Sequence, residues 1–329
     1  MLGFVEITPW HWAGFILCVL FFLALDLGVF NRRARIVRFR EAVAWSVLWF
    51  VLAMLFAGAL ACGRGHEESV QFVTGYIIEL SLSMDNVFAI ALIFAFFRVP
   101  PQHQHRVLFW GILGALLMRG MMIGAGAALV QRFQWMLYLF GAFLLVTGVK
   151  MILVKEAGVQ PEKNIFVRCA RKFFPVAPEL DGRKFITRLD GRILLTPLAL
   201  VLLVIETTDL IFALDSIPAI FAVTTKPFIV FTSNVFAILG LRAMYFLLAG
   251  AIGHFRYLKA GLSVVLVFIG TKMLLDPHSR APQAFQVEIP TSVSLMTVAA
   301  IILIAIVLSI MVAEREKCMG AGHSSNRKP

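Results

Sequence analysis

Two short runs of acidic residues stand inside otherwise apolar sequence: Glu79-Leu-Ser-Leu-Ser-Met-Asp85-Asn86 and Glu206-Thr-Thr-Asp209, followed by Asp215-Ser216-Ile-Pro218. Carboxylates, an amide oxygen and hydroxyls are hard oxygen ligands. With no His or Cys among them, they suit Mg2+, Mn2+ or Ca2+ rather than Zn2+ or Cu+. Several acids around one ion exceed its charge, so protons taken up as the ion leaves are a physically reasonable counter-ion. Helical spacing puts Glu79, Ser83 and Asn86 on one face, with Asp85 about 100° away from Asn86. Glu206 and Asp209 share a face, whereas Asp215, nine residues after Glu206, points the opposite way on an ideal helix. Pro218 removes the hydrogen bond to the carbonyl of residue 214. A kink or unwinding near 214–218 is therefore expected, turning Asp215 inward and freeing carbonyl ligands.

The elements that carry these acids must be membrane spans. The chain has 329 residues, 60% of them hydrophobic and 15% charged, and a mean hydropathy of +0.87; soluble chains carry nearer a quarter charged residues. Apolar stretches of the roughly 20 residues needed to cross a bilayer fall near 10–30, 41–62, 71–97, 106–130, 134–154, 194–222, 228–250, 257–275 and 291–313. The expected fold is all-α: a polytopic membrane protein of about nine transmembrane helices. Burying one charge at the bilayer centre costs roughly 2.5–3.5 kcal/mol, so five acids there need partners, water or protons. Span interiors offer mainly Arg119 and Arg242, too few for a purely structural role of the whole set.

The net charge of +11 sorts by side. Loops 31–40, 98–106, 155–193 and 251–256 and the tail hold twenty-one Lys and Arg, against four on the other side (Arg64, Arg132, Lys226, Arg280). The positive-inside rule then places the N-terminus outside and the C-terminus in the cytoplasm. No nucleic acid is needed to explain the charge; the bilayer's anionic headgroups are the expected partner of the basic loop. The first apolar run, carrying Asp26, reads as a retained span rather than a cleaved signal. Cys18 and Cys62 read as small hydrophobes, and His66, His103, His105 and His278 as solvated loop residues. Without a nucleophile elbow, P-loop or HExxH motif, no enzyme activity and no cofactor is expected.

An internal repeat organises the spans. DNVFAI (85–90) matches DLIFAL (209–214), GILGALLMRG (111–120) matches AILGLRAMYF (237–246), and GVKMIL (148–153) matches GTKMLL (270–275). Three spans per unit, an odd number, invert the second copy, which is the plan of many secondary transporters with midplane sites. The expected divisions are two N-terminal helices (1–70), a first repeat (71–154), a basic cytoplasmic loop (155–193), a second repeat (194–275), and a last helix with its tail (276–329). Lys150 and Lys272 lie near opposite ends of their spans, where snorkelling to the interface is as good a reading as any functional one.

At these residues the chain resembles the TerC family of integral membrane proteins, most closely its Alx type. The resemblance rests on TGYIIELSLSMDNVF (74–88), VLFWGILGALLMRGMMI (107–123), LYLFGAFLLVTGVKM (137–151) and the long second motif over 206–250, ETTDLIFALDSIPAIF onward. It implies a bacterial inner-membrane protein of a family associated by name with tellurium resistance. For the Alx type it implies manganese export. It also implies that Glu79, Asp85, Glu206, Asp209 and Asp215, with Asn86 and Ser216 beside them, hold the metal, and that Asp26 is a further family acid. Manganese comes from the resemblance alone; the residues reach only a hard divalent cation. Two other functions stand beside Mn2+ export: a membrane scaffold or stress-response subunit whose acids pair with Arg119 and Arg242, and an exporter of basic amino acids.

Overall fold

Prolines start four of the helices among the described residues. Pro9, Pro101, Pro197 and Pro227 each open one, at the position where the missing N–H costs nothing and the fixed φ already suits a helix. A computed structural model describes residues 8–25, 39–153, 175–177, 182, 184–189, 192–248, 257–276 and 289–325. Among them are nine helices: α1 (Pro9–Leu25), α2 (Phe39–Arg64), α3 (His66–Phe96), α4 (Pro101–Arg132), α5 (Met136–Leu153), α6 (Pro197–Phe221), α7 (Pro227–Leu248), α8 (Leu258–Leu275) and α9 (Thr291–Ser325). The protein is an all-α polytopic membrane protein. Seven helices contain apolar windows long enough to cross a bilayer; α1 and α8 carry shorter ones. Leu17, Phe21, Leu55, Leu117, Met121, Val146, Leu303 and Ile304 are exposed, an apolar surface suited to lipid contact. Gly65, at φ 105°, turns α2 into α3 within one residue, a backbone conformation open to glycine and few others.

Each expected span coincides with a helix, with two differences. The sixth starts at Pro197 rather than 194, because residues 192–195 form the second strand of a hairpin, β1 (Ile186–Leu189) and β2 (Arg192–Leu195), paired antiparallel from Ile186↔Leu195 to Leu189↔Arg192. His103 and His105, expected in a loop, lie in the first turns of α4. Asp26 and most of the basic loop, including Arg168, Arg171, Lys172 and Arg183, lie outside the described residues.

The sequence-matched helices pack on one another: α3 on α6, α4 on α7, and α5 on α8, the last pair most extensively. Glycine permits that approach. A Cβ on Gly270 would sit 2.6 Å from Leu145 N and 2.8 Å from Gly141 O, and one on Gly148 would sit 2.9 Å from Ser263 O. Small residues at a membrane helix seam let backbones touch, where packing rather than hydrophobicity drives association.

Three apolar clusters form the core. One joins Ile78, Ile123, Ala127, Leu144, Ala213, Phe221, Leu266 and Ile269. A second joins Val87, Phe94, Leu108, Val201, Ile205, Leu241 and Tyr245. A third wraps α1 and α2 onto α3 and α7. On α3 and α6 the chain passes from one of the first two clusters to the other through a few residues, and polar side chains stand there; on α4 the stretch is longer and also gives Ile112 and Ala115 to the third cluster.

A candidate ion site between the two apolar blocks

On α3 the interval between Ile78 and Val87 holds Glu79, Ser83, Asp85 and Asn86; on α4 the interval between Leu108 and Ile123 holds Arg119; on α6 the interval between Ile205 and Ala213 holds Glu206 and Asp209. Asp209 is the midpoint of its helix. On α3 and α6 these acids stand between two apolar stretches of the helix, whereas Asp215 falls between Ala213 and Ile217 of the first cluster.

Arg119 joins them. Its Nη2 donates to Asp209 Oδ1 at 2.9 Å and its Nε to Asp209 Oδ2 at 3.1 Å, the two-pronged fit that a planar guanidinium makes with a carboxylate. Its Nη1 donates to Glu79 Oε1 and, at 3.4 Å, to Ser216 Oγ. Asn86 Nδ2 donates to Asp209 Oδ1 at 3.1 Å. Arg119 and Glu79 are 1% and 0% exposed, so this is a desolvated cluster. One cation serves two carboxylates. Three oxygens in it find no hydrogen-bond partner: Glu79 Oε2, Ser83 Oγ and Asn86 Oδ1. These belong to the face of α3 that the 4-and-3 spacing of Glu79, Ser83 and Asn86 defined. Buried acceptors without donors are costly, and three on one stripe invite a cation.

A cavity of about 330 Å3 opens beside the cluster, lined by Glu79, Asp85, Asn86, Arg119, Asp215 and Ser216, and by Phe143, Thr147 and Lys150 of α5. A smaller cavity, about 30 Å3, lies beyond Asn86 and Phe212, which border both, and is lined by Asp209, Thr208 and Gly111. The structure thus brings Glu79, Asp85, Asn86, Asp209, Asp215 and Ser216 around one polar region. Glu206 stands apart, its carboxylate pressed on Gly114 of α4, where a Cβ would overlap it. Arg242 lies on α7, half-buried. No three His, Cys, Asp or Glu side chains among the described residues converge tightly enough to hold an ion unaided, so an ion here would also draw on Asn86, Ser83 or Ser216.

The expected unwinding at 214–218 is not found: α6 runs unbroken through Pro218. Asp215 reaches the cavity without it: α6 packs against α3, α4 and α5, and Ile211, Leu214 and Asp215 together line the cavity from the intact helix. Their opposite directions put Asp215 at the cavity and Glu206 against Gly114. Lys272 is 5% exposed and does not snorkel, whereas Lys150 is exposed at the cavity. The α5 contribution was not anticipated, although Phe143, Thr147 and Lys150 follow the same 4-and-3 spacing as the α3 stripe and were legible as a face.

The sequence profile described as "Integral membrane protein TerC family" matches residues 64–317. A membrane protein of Myxococcus xanthus is 52% identical over 92% of this chain and 93% of its own. A Salmonella typhi protein named "Putative membrane-bound redox modulator Alx" is 46% identical over 95% of this chain and 98% of its own; its namesake in Escherichia coli K12 is 45% identical over 88% and 93%. No solved structure matches. With its family profile covering most of the helices and the acidic motifs on which the polar cluster stands, the chain belongs to the TerC family of integral membrane proteins.

Proposed function

We propose that this protein exports divalent metal cations, Mn2+ foremost, by alternating access between its two three-helix units, with protons as the exchanged ion at the cavity carboxylates. It resides in the bacterial inner membrane, N-terminus outside. The observation that carries the reading is the cavity: a space large enough for a partly hydrated ion, bordered by Glu79, Asp85, Asp215, Asn86 and Ser216, with unpartnered buried oxygens on Glu79 and Asn86. Such hard oxygens, with no imidazole or thiolate among them, match a hard divalent ion. The helix pairing α3–α6, α4–α7 and α5–α8 supports an inverted repeat with its site at the unit interface.

The test is Mn2+ flux in proteoliposomes containing the purified protein, with Ca2+, Mg2+ and lysine as competitors and internal pH recorded. Export predicts saturable Mn2+ flux that Glu79→Gln and Asp215→Asn abolish. Flux in either variant equal to the native protein would remove those residues from the site, and dominant lysine flux would replace the metal reading.

One observation favours the scaffold reading. Arg119 already pairs Glu79 and Asp209, as an internally neutralised structural cluster would. Under that reading the swap Arg119→Asp with Asp209→Arg retains the protein's cellular phenotype, and no metal crosses the liposome membrane.

A further inference from the structure

Arg119 holds the same carboxylates that a transported ion would need. Its fork takes both oxygens of Asp209 and its remaining nitrogen takes Glu79 Oε1, leaving Glu79 Oε2 and Asn86 Oδ1 unpartnered and buried. The guanidinium also lines the cavity, as Asp85 and Asp215 do, and these carboxylates offer it a place when an ion takes Glu79 and Asp209. An ion binding Glu79 and Asp209 must displace it; an ion leaving them exposes two buried anions that it can recover.

We propose that Arg119 is a tethered substitute cation: it occupies the Glu79–Asp209 site whenever the metal is absent, and so lets the empty carrier change conformation. This rests on the export reading. The physical need is plain, because moving a pair of uncompensated carboxylates through a low-dielectric interior is strongly unfavourable. A guanidinium meets that need at any physiological pH, since it never deprotonates, and it recaptures Asp209 through two nitrogens and Glu79 through a third, which leaves proton exchange to Asp85 and Asp215. Arg119 therefore positions the return half of the cycle and competes with the metal during the loaded half.

Net transport requires return of the empty carrier; metal-for-metal exchange does not. Proteoliposomes carrying native protein, R119Q or R119K are compared for net Mn2+ flux and for exchange of labelled against unlabelled Mn2+. R119Q is expected to lose net flux to the level of empty liposomes, keep exchange, and bind Mn2+ more tightly than the native protein. R119K keeps the charge but not the fork, and is expected to retain net flux with tighter Mn2+ binding. R119Q with native net flux overturns the proposal, as does R119Q losing both modes while remaining monodisperse. Should R119Q fail to fold, R119K decides: Mn2+ affinity no tighter than native overturns the competition. Native protein that moves Mn2+ in neither mode instead sinks the export reading, a result distinct from all of these.

Discussion

Removing Arg119 leaves Glu79, fully buried, and Asp209, mostly buried, without their counter-charge. Breaking a buried pair by deleting one partner costs about 3–5 kcal/mol, whereas removing all the charges together can be nearly neutral. Arg119→Met should therefore unfold at clearly lower temperature than the native protein in detergent, and the triple variant Arg119→Met, Glu79→Gln, Asp209→Asn should regain most of the loss. A triple variant no better than the single one would show that the cluster contributes packing rather than charge balance. Glu206 makes a contrasting case. Its carboxylate sits on Gly114, with no room for a Cβ between them, and the carboxylate is the mobile end of a flexible side chain. Gly114→Ala should fold normally while forcing Glu206 aside; Mn2+ flux measured in that variant reports whether Glu206 matters where it now stands.

At the level of elements, the α5–α8 seam carries the clearest expectation. In an exposed helix interior, Gly→Ala stabilises by roughly 0.5–1 kcal/mol. At Gly270 the new methyl would meet the backbone of Gly141 and Leu145, neither of which can swing away, and overpacking of this kind costs about 1–3 kcal/mol. The steric effect wins, so Gly270→Ala should lower the unfolding temperature. Gly240→Ala is the control: its nearest neighbour is Trp49 Cβ at 3.8 Å, ordinary contact, and it should hold or raise that temperature. Equal effects of the two would mean the seam gives way. On α6, the continuous helix predicts that Pro218→Ala, which restores a donor to the carbonyl of residue 214, leaves the cavity acids in place and Mn2+ binding unchanged.

For the molecule as a whole, the two ends of the bundle differ. At one, Arg64, Glu68 and Lys226 tie α2, α3 and the turn before α7 together, with Lys226 Nζ donating to Glu68 Oε1 at 2.8 Å and Arg64 Nη2 to the same oxygen at 2.8 Å. The sequence assigns most of the basic loops to the opposite side. The N-outside topology predicts that, in a background lacking the four native cysteines, Lys226→Cys reacts with a membrane-impermeant maleimide added to intact cells. His103→Cys should react only after permeabilisation. The reverse pattern would invert the topology and turn export into import.

The helices among the described residues and their near boundaries follow from the sequence, and so does the burial of Glu79, because burying charge is so costly that acids within apolar runs announce themselves; Asp85, Glu206, Asp209 and Asp215 are half-buried, and the buried Glu68 was not singled out. The stripe of Glu79, Ser83 and Asn86 was legible too, since 3.6-residue geometry is local, and its unpartnered oxygens are where that spacing placed them. Which carboxylate meets which partner was not legible. Arg119 takes Asp209 and Glu79 because α3, α4 and α6 cross at one depth, a fact of tertiary packing that no spacing within one helix contains. The same packing made unwinding at Pro218 unnecessary: α3, α4 and α5 border a cavity beside α6, and Asp215 lines it from an intact helix.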